Sequence, residues 1–169
     1  MVGPGSGKST GAAYIFAKLK MAGINCEYVT EYAKDKTWEG AKEELNCQIY
    51  ITGKQVWRMT RVYGKVDVIV TDSPIALGSQ YTDDEMLKKI CIHEDKKFTN
   101  KINAFIKRVK PYNPSGRNQT EEQAKIIDQT IKTMLTDSDM TYETYNGDIE
   151  GYNKLIYKIL ERIKNEKIA

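Results

Sequence analysis

The first residues that can do chemistry form a glycine-rich string near the start of the sequence. Residues 3–10 read GPGSGKST and lead directly into a predicted helix. Glycines let successive backbone N–H groups point at one phosphate chain, which the N-terminus of a helix attracts. A lysine here reaches the outer phosphates, and a serine hydroxyl is a ligand that Mg²⁺ accepts. We therefore predict a nucleotide-phosphate loop, with an ordinary glycine-rich turn as the alternative, made of Gly3, Pro4, Gly5, Ser6, Gly7, Lys8, Ser9 and Thr10.

The loop departs from the usual pattern in two ways. Val2 stands where the motif normally has its first glycine, and no buried strand precedes the loop in this sequence. A missing central strand removes several apolar side chains, each of which stabilises a fold by roughly 1.5–3 kcal/mol when buried. We therefore expect a sheet whose first central strand is absent from the chain, or whose edge is completed in another way.

Two acidic residues follow predicted strands, where ligands of open α/β sheets bind. Glu31 comes directly after the strand at 26–30, in a position to accept a proton from an attacking hydroxyl. Asp72 ends the apolar run at 66–71 (VDVIVT), and an acid there usually holds Mg²⁺, directly or through water. We predict that Glu31 is catalytic and that Ser9 and Asp72 hold the metal. The alternatives are a surface charge for Glu31 and a turn or capping acid for Asp72.

A basic segment rich in proline and glycine lies at residues 107–119, between a predicted strand and a predicted helix. Such a composition is typical of a mobile lid that closes positive charge over a phosphoryl group. We predict a lid-like segment at about 108–120, with a solvated basic loop as the alternative. Within it Arg117 neutralises charge on the transferred group, and Arg108 supports it in the substrate site. The predicted catalytic residues are thus Lys8, Glu31, Asp72 and Arg117.

The helix predicted over residues 42–63 carries a basic stripe beside its apolar face. The stripe consists of Lys54, Arg58, Arg61 and Lys65. It suits an anionic acceptor such as a nucleotide or a nucleic-acid backbone, although a solvated face has the same pattern. Gln48, on the apolar side, is predicted to contact a base edge, with a satisfied buried amide as the alternative. Tyr32 and Trp38 are predicted to stack on the substrate, unless they belong to the core.

The candidate residues require a fold that brings strand ends and the phosphate loop together. Apolar periodicity predicts helices at 8–21, 42–63, 120–135 and 149–163, and short apolar runs predict strands at 26–30, 66–71, 102–109 and 140–145. Thr120 with Gln123 predicts a capping box at the start of the helix at 120–135, and Asn146-Gly147 predicts a turn. The polar segment at 81–101 follows neither periodicity clearly and is hard to assign, and we interpret it as a helix flanked by loops. Because strands alternate with helices, we predict one α/β domain over residues 1–169, with three α/β/α layers and a mostly parallel sheet.

Composition limits the classes of protein to which the chain can belong. Its 169 residues are 40% hydrophobic and 29% charged, with a net charge of +3, which excludes wholesale disorder and permits an anionic partner. No apolar run approaches the roughly 18 residues of a membrane span, and the start carries no secretory signal. Three scattered cysteines and a lone histidine, His93, disfavour a disulfide framework, a zinc site or a triad. We expect a cytoplasmic protein without a membrane partner, in the host cytoplasm if a phage encodes it.

Five segments together resemble a known group of proteins. They are the phosphate loop, TEYAKD at 30–35, NCQIY at 46–50, VDVIVTDSP at 66–74 and KPYNPSGRNQTEEQ at 110–123. The chain resembles phage and bacterial P-loop proteins described as AAA-type ATPases, which are related to nicotinamide riboside kinases and to nucleoside and nucleotide kinases. The resemblance runs from Gly3 to the last predicted helix.

This resemblance implies a kinase-like, doubly wound fold that uses Mg²⁺ and ATP. In the related nucleoside kinases an acid after the second strand serves as base or acceptor anchor, which matches Glu31. A glutamine on the following helix reads the base, which matches Gln48. Some phage members phosphorylate hydroxymethyl-pyrimidines within DNA, so the resemblance implies a polymeric acceptor as well as a free one. The AAA name does not fit literally, because the chain has no room for the second domain of those machines.

The leading hypothesis is a kinase that transfers phosphate from Mg²⁺-ATP to a hydroxyl of a nucleoside-type or nucleotide-type acceptor, including 5-hydroxymethyl-pyrimidine in phage DNA. The alternative from another class is a nucleotide-dependent NTPase, switch or binding protein, with the lid and the basic stripe as its interface. A third hypothesis is an inactive relic that lacks its first strand. The sequence leaves the acceptor and the oligomeric state open.

Overall fold

The computed structural model describes residues 1, 6–109 and 120–166 of the chain. Gly3, Pro4, Gly5, Arg117 and most of the predicted lid lie outside these residues. The described elements, in chain order, are α1 (Lys8–Met21), β1 (Cys26–Val29), α2 (Tyr32–Glu39), α3 (Lys42–Asn46), α4 (Gln48–Thr60), β2 (Val68–Thr71), a 3₁₀ helix (Ile75–Tyr81), α5 (Glu85–Lys96), β3 (Ala104–Lys107), α6 (Glu121–Asp137), β4 (Glu143–Asn146) and α7 (Ile149–Glu166).

The four described strands form two parallel pairs. β1 pairs with β2 in a register that places Cys26 opposite Val68, and β3 pairs with β4 with Ala104 opposite Glu143. Parallel neighbours need long crossover connections, and the segments between the paired strands carry the helices. The predicted α/β class and the parallel pairing are therefore confirmed. The described strands nevertheless form two separate two-stranded sheets and not one continuous sheet.

Both strand pairs contribute to a common apolar core. α1 turns Ala12, Ile15 and Leu19 toward this core and ends before Gly23, whose φ of 77° is left-handed. Each fully buried aliphatic side chain stabilises the fold by roughly 1.5–3 kcal/mol. The other elements contribute Cys26, Val70, Phe105, Ile106, Ile131, Leu135, Tyr152 and Leu155. This shared core holds the start of α1 against the strands.

The helix predicted over residues 42–63 is interrupted, so this part of the prediction is wrong. Cys47 has φ −96° and ψ 79°, which lie outside the helical region and separate α3 from α4. α4 buries Gln55 and Met59, whereas Ile49, which the spacing assigns to the buried face, is 64% exposed. The apolar spacing continues through Cys47, and periodicity alone therefore gives no sign of the break.

Two further boundaries differ from the predictions. The strand predicted over 140–145 begins only at Glu143, because the Met140 N–H still donates to the Leu135 carbonyl, at 2.8 Å, and closes the end of α6. The short helix α2, directly after Glu31, was not predicted. Glu31 therefore lies at the start of a helix and not in a turn.

Side-chain caps hold the starts of α5 and α6. The Asp84 carboxylate accepts hydrogen bonds from two N–H groups in the first turn of α5, which lies within the segment 81–101 that was hard to assign. Thr120 and Gln123 form the predicted capping box at the start of α6. The helix within 81–101 and the capping box are thus confirmed.

Two further observations concern the state of the cysteines and whether a helix could cross a membrane. Cys26 and Cys91 are buried and Cys47 is exposed, and all three carry free thiols. Across the described residues, every helix is too short or too polar to cross a membrane.

Candidate functional site

The start of α1 is a turn that requires glycine. Gly7 precedes the helix with φ 90°, a left-handed conformation that glycine adopts without strain. A Cβ at Gly7 would lie 2.6 Å from the Tyr152 hydroxyl oxygen. That hydroxyl donates to the Gly7 carbonyl at 3.1 Å. The Gly7 backbone therefore lies close to Tyr152. Because position 7 has no side chain, the space at the N-terminus of α1 stays open.

Two elements near the C-terminus of the chain, α7 and the turn after β4, pack against this turn. The Tyr152 ring packs so closely on α1 that a Cβ at Gly11 would come within 2.5 Å of it. Gly147, in the turn after β4, lies so near the Ser6 carbonyl that a Cβ there would be 2.7 Å from the oxygen. The sequence identified residues 146–147 only as a turn. The signal that could have identified this packing is the spacing of Gly7 and Gly11, one helical turn apart.

Lys8 and two carboxylates meet at one edge of the β1–β2 pair. Glu31 follows β1 and Asp72 follows β2, and parallel pairing places both strand ends at the same edge. Desolvation lowers the pKa of Lys8, while the negative charges of Glu31 and Asp72 oppose this shift. The three residues therefore lie within electrostatic reach of one another. The structure thus brings together three of the four predicted catalytic residues, and Arg117 lies outside the described part.

Glu31 is held in a setting that favours its protonated form. It is the N-cap residue of α2 and is only partly exposed. Burial is the main cause that raises its pKa, the charge of Asp72 raises it further, and Lys8 counteracts both. A carboxylate with a raised pKa binds a proton more strongly. Glu31 therefore has the property that a general base requires.

Asp72 is buried with an unsatisfied oxygen. The residue is 5% exposed, and within the described structure its Oδ1 atom has no hydrogen-bond partner. The Tyr28 hydroxyl interacts with this carboxylate; burial chiefly raises the pKa of Tyr28, and the charge of Asp72 and a hydrogen bond to it add to the shift. The same hydroxyl lies 3.5 Å from the Ser9 carbonyl oxygen. Tyr28 thus connects the end of β2 to the first turn of α1.

The donor set at this position fits a magnesium ion shared with a phosphate. Ser9 can supply a hydroxyl oxygen and Asp72 a buried carboxylate oxygen, and Mg²⁺ prefers such oxygens. Residues 6–109 and 120–166 contain no group of three or more His, Cys, Asp or Glu side chains that could hold a metal. Mg²⁺ usually keeps several waters and binds one or two carboxylates together with substrate phosphates. The site therefore fits Mg²⁺ bound with a nucleotide better than a cage made by protein alone.

Gln55 joins the ends of β1 and β2, and the sequence reasoning missed it. Its side chain is 5% exposed. The Oε1 atom accepts from the Tyr32 N–H at 2.9 Å, and the Nε2 group donates to the Ser73 carbonyl at 3.0 Å. These two partners follow Glu31 and Asp72 directly in the sequence. A glutamine one helical turn from the apolar Ile51 and Met59 is the signal that could have identified it.

The predicted substrate residues on α2 and α4 lie in different environments. The Gln48 amide donates to the Thr52 hydroxyl at 3.3 Å and to the Gly78 carbonyl at 3.4 Å, as in the satisfied-amide alternative. The Tyr32 and Tyr50 hydroxyls are 2.8 Å apart. Trp38, at the end of α2, is 75% exposed and does not belong to the core.

Arg108 is bound to an acid that the sequence did not single out. Its Nε and Nη2 atoms donate to Asp128 Oδ2 at 3.1 and 2.9 Å, and Nη2 also donates to the Ala124 carbonyl at 3.2 Å. The charges of both Arg108 and Asp128 act on Lys8. Arg108, at the start of the predicted lid, therefore lies within electrostatic reach of Lys8.

Tyr81 is a further neighbour of Glu31. The Tyr81 residue is 48% exposed, but desolvation at its hydroxyl and then the charge of Glu31 raise the pKa of that hydroxyl to about 12. The hydroxyl therefore stays protonated at neutral pH and can donate a hydrogen bond. Tyr81 stands at the edge of the segment that the sequence left uncertain, so no signal pointed to it.

Comparison with models of known protein families, with curated proteins and with solved structures finds no match to this chain. The site is therefore interpreted from its own geometry. One desolvated cation, one carboxylate with a raised pKa and one buried carboxylate with an unsatisfied oxygen surround the start of a helix. Such a set can bind a polyphosphate, share a divalent cation with it and remove a proton from a neighbouring hydroxyl.

Proposed function

We propose that the chain is a small phosphotransferase that uses Mg²⁺ and ATP and acts on a hydroxyl of a nucleoside-type or nucleotide-type acceptor. The observation that carries the proposal is the convergence of Lys8, Glu31 and Asp72 at the start of α1. Phosphoryl transfer depends almost entirely on positioning and on charge neutralisation, which these groups supply. A three-layer, P-loop kinase-like fold built around the two strand pairs is part of the same proposal.

Each residue has a separate role in this proposal. N–H groups at the start of α1 and the Lys8 ammonium bind the outer phosphates of ATP. Ser9 and Asp72 would hold Mg²⁺, which neutralises charge on the phosphates when it is bound. Glu31 takes the proton of the acceptor hydroxyl as the acceptor oxygen bonds to the γ-phosphorus. The bond from that phosphorus to the bridging oxygen breaks, and ADP leaves.

The exposed face of α4 supports an acceptor of polymeric type, including 5-hydroxymethyl-pyrimidine within phage DNA. Tyr50 and Trp57 are exposed on this face. The Lys54 Nζ atom lies 5.4 Å from the centre of the Tyr50 ring, and the Arg61 guanidinium lies 5.5 Å from the centre of the Trp57 ring. Rings paired with cations can stack on bases and neutralise phosphates of a single strand.

Binding of a fluorescent ATP analogue tests the nucleotide site. We expect Lys8→Ala to weaken binding of the Mg²⁺ complex at least ~10-fold, because a hydrogen bond to a charged group contributes roughly 1.5–3 kcal/mol. Lys18→Ala, on the exposed side of the same helix, should bind like the parent. Asp72→Asn should remove the affinity gained from Mg²⁺, and Asp67→Asn should retain it. A parent chain that does not bind the analogue at millimolar concentration, or that Lys8→Ala matches, would contradict the proposal.

A mass-spectrometric screen tests the transfer. The chain is incubated with Mg²⁺-ATP and with nucleosides, mononucleotides or hydroxymethylated DNA. An acceptor that gains one phosphoryl group, with matching release of ADP, supports the kinase and identifies its acceptor class. Nucleotide binding without transfer to any of these acceptors would overturn the kinase and favour the switch or binding protein.

A further inference from the structure

A groove lies on the exposed face of α4, between two aromatic side chains. This α4 groove has a volume of about 420 Å³ and is lined by Ile49, Tyr50, Gly53, Lys54 and Trp57. Ile49 and Trp57 are 64% and 62% exposed. Large apolar side chains that are exposed beside one another and rimmed by polar residues mark interaction sites more often than side chains scattered singly.

Gly53 keeps the middle of the α4 groove open. It lies in the interior of α4, where glycine is a poorer helix former than any residue except proline. A Cβ built at Gly53 meets no atom of the described residues within 4 Å, and its φ is not in the left-handed region. Within the described part of the chain, neither crowding nor backbone conformation therefore requires glycine here. The glycine instead provides space between the side chains before and after it.

Tyr50 and Trp57 lie on the same side of α4, two helical turns apart. At about 3.6 residues per turn, seven positions come within about 20° of two full turns and rise by about 10.5 Å. Rings that pack together in proteins have centres roughly 4.5–7 Å apart, so one planar ring contacts two others when those are roughly 9–14 Å apart. The spacing of Tyr50 and Trp57 therefore fits one planar ring between them, above Gly53.

Positive charge flanks both rings of the α4 groove. The Lys54 Nζ atom lies 5.4 Å from the centre of the Tyr50 ring, and the Arg61 guanidinium lies 5.5 Å from the centre of the Trp57 ring. Residues 45–66 contain no acidic residue, so no acid of α4 itself offsets this charge. Because Lys54 and Arg61 are seven positions apart, about 10.5 Å along the helix, they face different phosphates of one strand.

Tyr32 connects the α4 groove to the candidate site. Its ring centre lies 5.9 Å from that of Tyr50, and it directly follows Glu31 in the sequence. The Arg58 guanidinium lies 4.8 Å from the centre of the Tyr32 ring on the same surface. A chain molecule bound in the groove can therefore continue past Tyr50 and Tyr32 toward Glu31.

We propose that the α4 groove binds one unpaired base of a single-stranded nucleic acid, stacked between Tyr50 and Trp57. Lys54 and Arg61 bind the phosphates on either side of that base. A nucleic-acid strand is favoured because it places a negative charge on both sides of every planar ring, which matches the two cations. The base must be unpaired, since neighbouring base pairs cover both faces of a base in a duplex. The inference rests on the proposed function in one respect, because the strand bound here is the polymeric acceptor of that proposal.

Fluorescence anisotropy with a labelled oligothymidylate of about 12 nucleotides, in the absence of ATP, tests the proposal. We expect this single strand to bind at least ~10-fold more tightly than a duplex of the same length. An abasic strand keeps the phosphates and lacks the bases, and it should also bind at least ~10-fold more weakly. Trp57→Ala should weaken binding by about 5-fold or more, because stacking of one base contributes at least that factor. Tyr157→Ala, which removes an exposed ring of α7, should bind like the parent.

Gly53→Leu separates binding from stability. Leucine fills the α4 groove and is a better helix former than glycine, so Tm should rise by about 2–4 °C. Binding of the single strand should nevertheless weaken by about 5-fold or more. Thr60→Leu adds the same side chain at an exposed position of the same helix outside the groove, and it should bind like the parent.

Three results would overturn the proposal. The first is a parent chain that does not bind the oligothymidylate at about 10⁻⁴ M, the weak end of non-specific binding. The second is equal binding of the single strand and of the duplex or the abasic strand, which would mean that the surface recognises charge alone, as an acidic protein would supply. The third is parental affinity in Gly53→Leu or Trp57→Ala.

These readouts are separate from those of the kinase. A chain that phosphorylates free nucleosides but does not bind the strand would contradict this inference alone. A chain that binds the strand in the α4 groove but transfers phosphate to no acceptor would contradict the kinase alone.

Discussion

The pKa values of Glu31 and Lys8 depend on the charged groups around them. Burial disfavours the charge on both Lys8 and Glu31, and the attraction between them partly offsets this effect.

A substitution of Glu31 tests its role as the base. We expect Glu31→Gln to lower kcat of phosphoryl transfer by about 10²- to 10⁴-fold, the usual contribution of general base catalysis, with little change in ATP affinity. Because the folded pKa of Glu31 is raised, the parent's rate should fall as pH drops through that pKa, and this acidic limb should start at a higher pH than for an ordinary glutamate.

A pH–rate profile of the parent and the variant measures both effects. Glu31→Gln should lack the acidic limb, because its amide does not titrate. Glu43→Gln, which changes an exposed acid of α3, should behave like the parent. An acidic limb that persists unchanged in Glu31→Gln would assign it to a different residue.

At the scale of elements, the site depends on residues that connect one element to another. Gln55 links the segment after β1 to the segment after β2 through two backbone hydrogen bonds. Tyr152 of α7 supports the turn before α1 through the Gly7 carbonyl. Neither residue has a chemical role in the proposed transfer. Through these hydrogen bonds they position Glu31, Asp72 and the start of α1.

Truncation of Gln55 tests the link between the strand ends. We expect Gln55→Ala to lower the free energy of unfolding by about 1–3 kcal/mol, because it leaves a buried donor and a buried acceptor without their partner. Urea denaturation followed by circular dichroism measures this loss. Lys54→Ala, an exposed neighbour on the same helix, should stay within about 0.5 kcal/mol of the parent. Equal losses in the two variants would show that the Gln55 hydrogen bonds contribute nothing specific.

At the scale of the whole molecule, both strand pairs contribute to one apolar core. Among the described residues, however, the two pairs remain separate sheets that no ladder of backbone hydrogen bonds joins. A cavity of about 550 Å³ lies between β2 and β3, and Val70, Ala104 and Met1 are among the residues that line it. Burial disfavours the charged form of the Met1 amino group, so protonating it in the folded chain costs free energy. The stability of the 169-residue chain should therefore depend on the protonation of its own amino group.

The pH dependence of stability measures this cost. The pKa of the Met1 amino group is lowered from 8.0 to about 5, so between these values the unfolded chain holds a proton there that the folded chain has released. Folding is therefore favoured increasingly as pH rises from about 5 to 8, and the contribution is lost as pH falls through 5. A shift of this size corresponds to at most about 4 kcal/mol.

Acetylation of the amino group isolates its effect from those of other titrating residues. We expect the acetylated chain to exceed the parent in Tm by several degrees near pH 5 and to approach it near pH 8. Thermal unfolding at matched ionic strength gives the comparison. A difference that does not change with pH would mean that the Met1 amino group is exposed, contrary to its position against Ala104.

The sequence by itself determined the features that depend on local patterns. Apolar residues spaced at the 3.6-residue period of a helix predicted α1, α6 and α7, and an unbroken apolar run predicted β2. The capping box predicted where α6 begins. Glu31 and Asp72 could be paired in advance, because parallel strands end at the same edge. The predicted roles of Gly3, Pro4, Gly5 and Arg117 stay predictions, since these residues lie outside the described part of the chain.

Only the tertiary structure decided the features that depend on contacts between distant segments. Tyr152 supports Gly7 across 145 positions of sequence, and the break at Cys47 leaves the apolar spacing of the sequence unchanged. Gln55 acquires its role because two strand ends come within reach of one helix, and the cavity exists because the edges of β2 and β3 face each other. Local propensity acts over a few neighbouring residues, whereas these arrangements minimise unsatisfied backbone and apolar surface over the whole molecule.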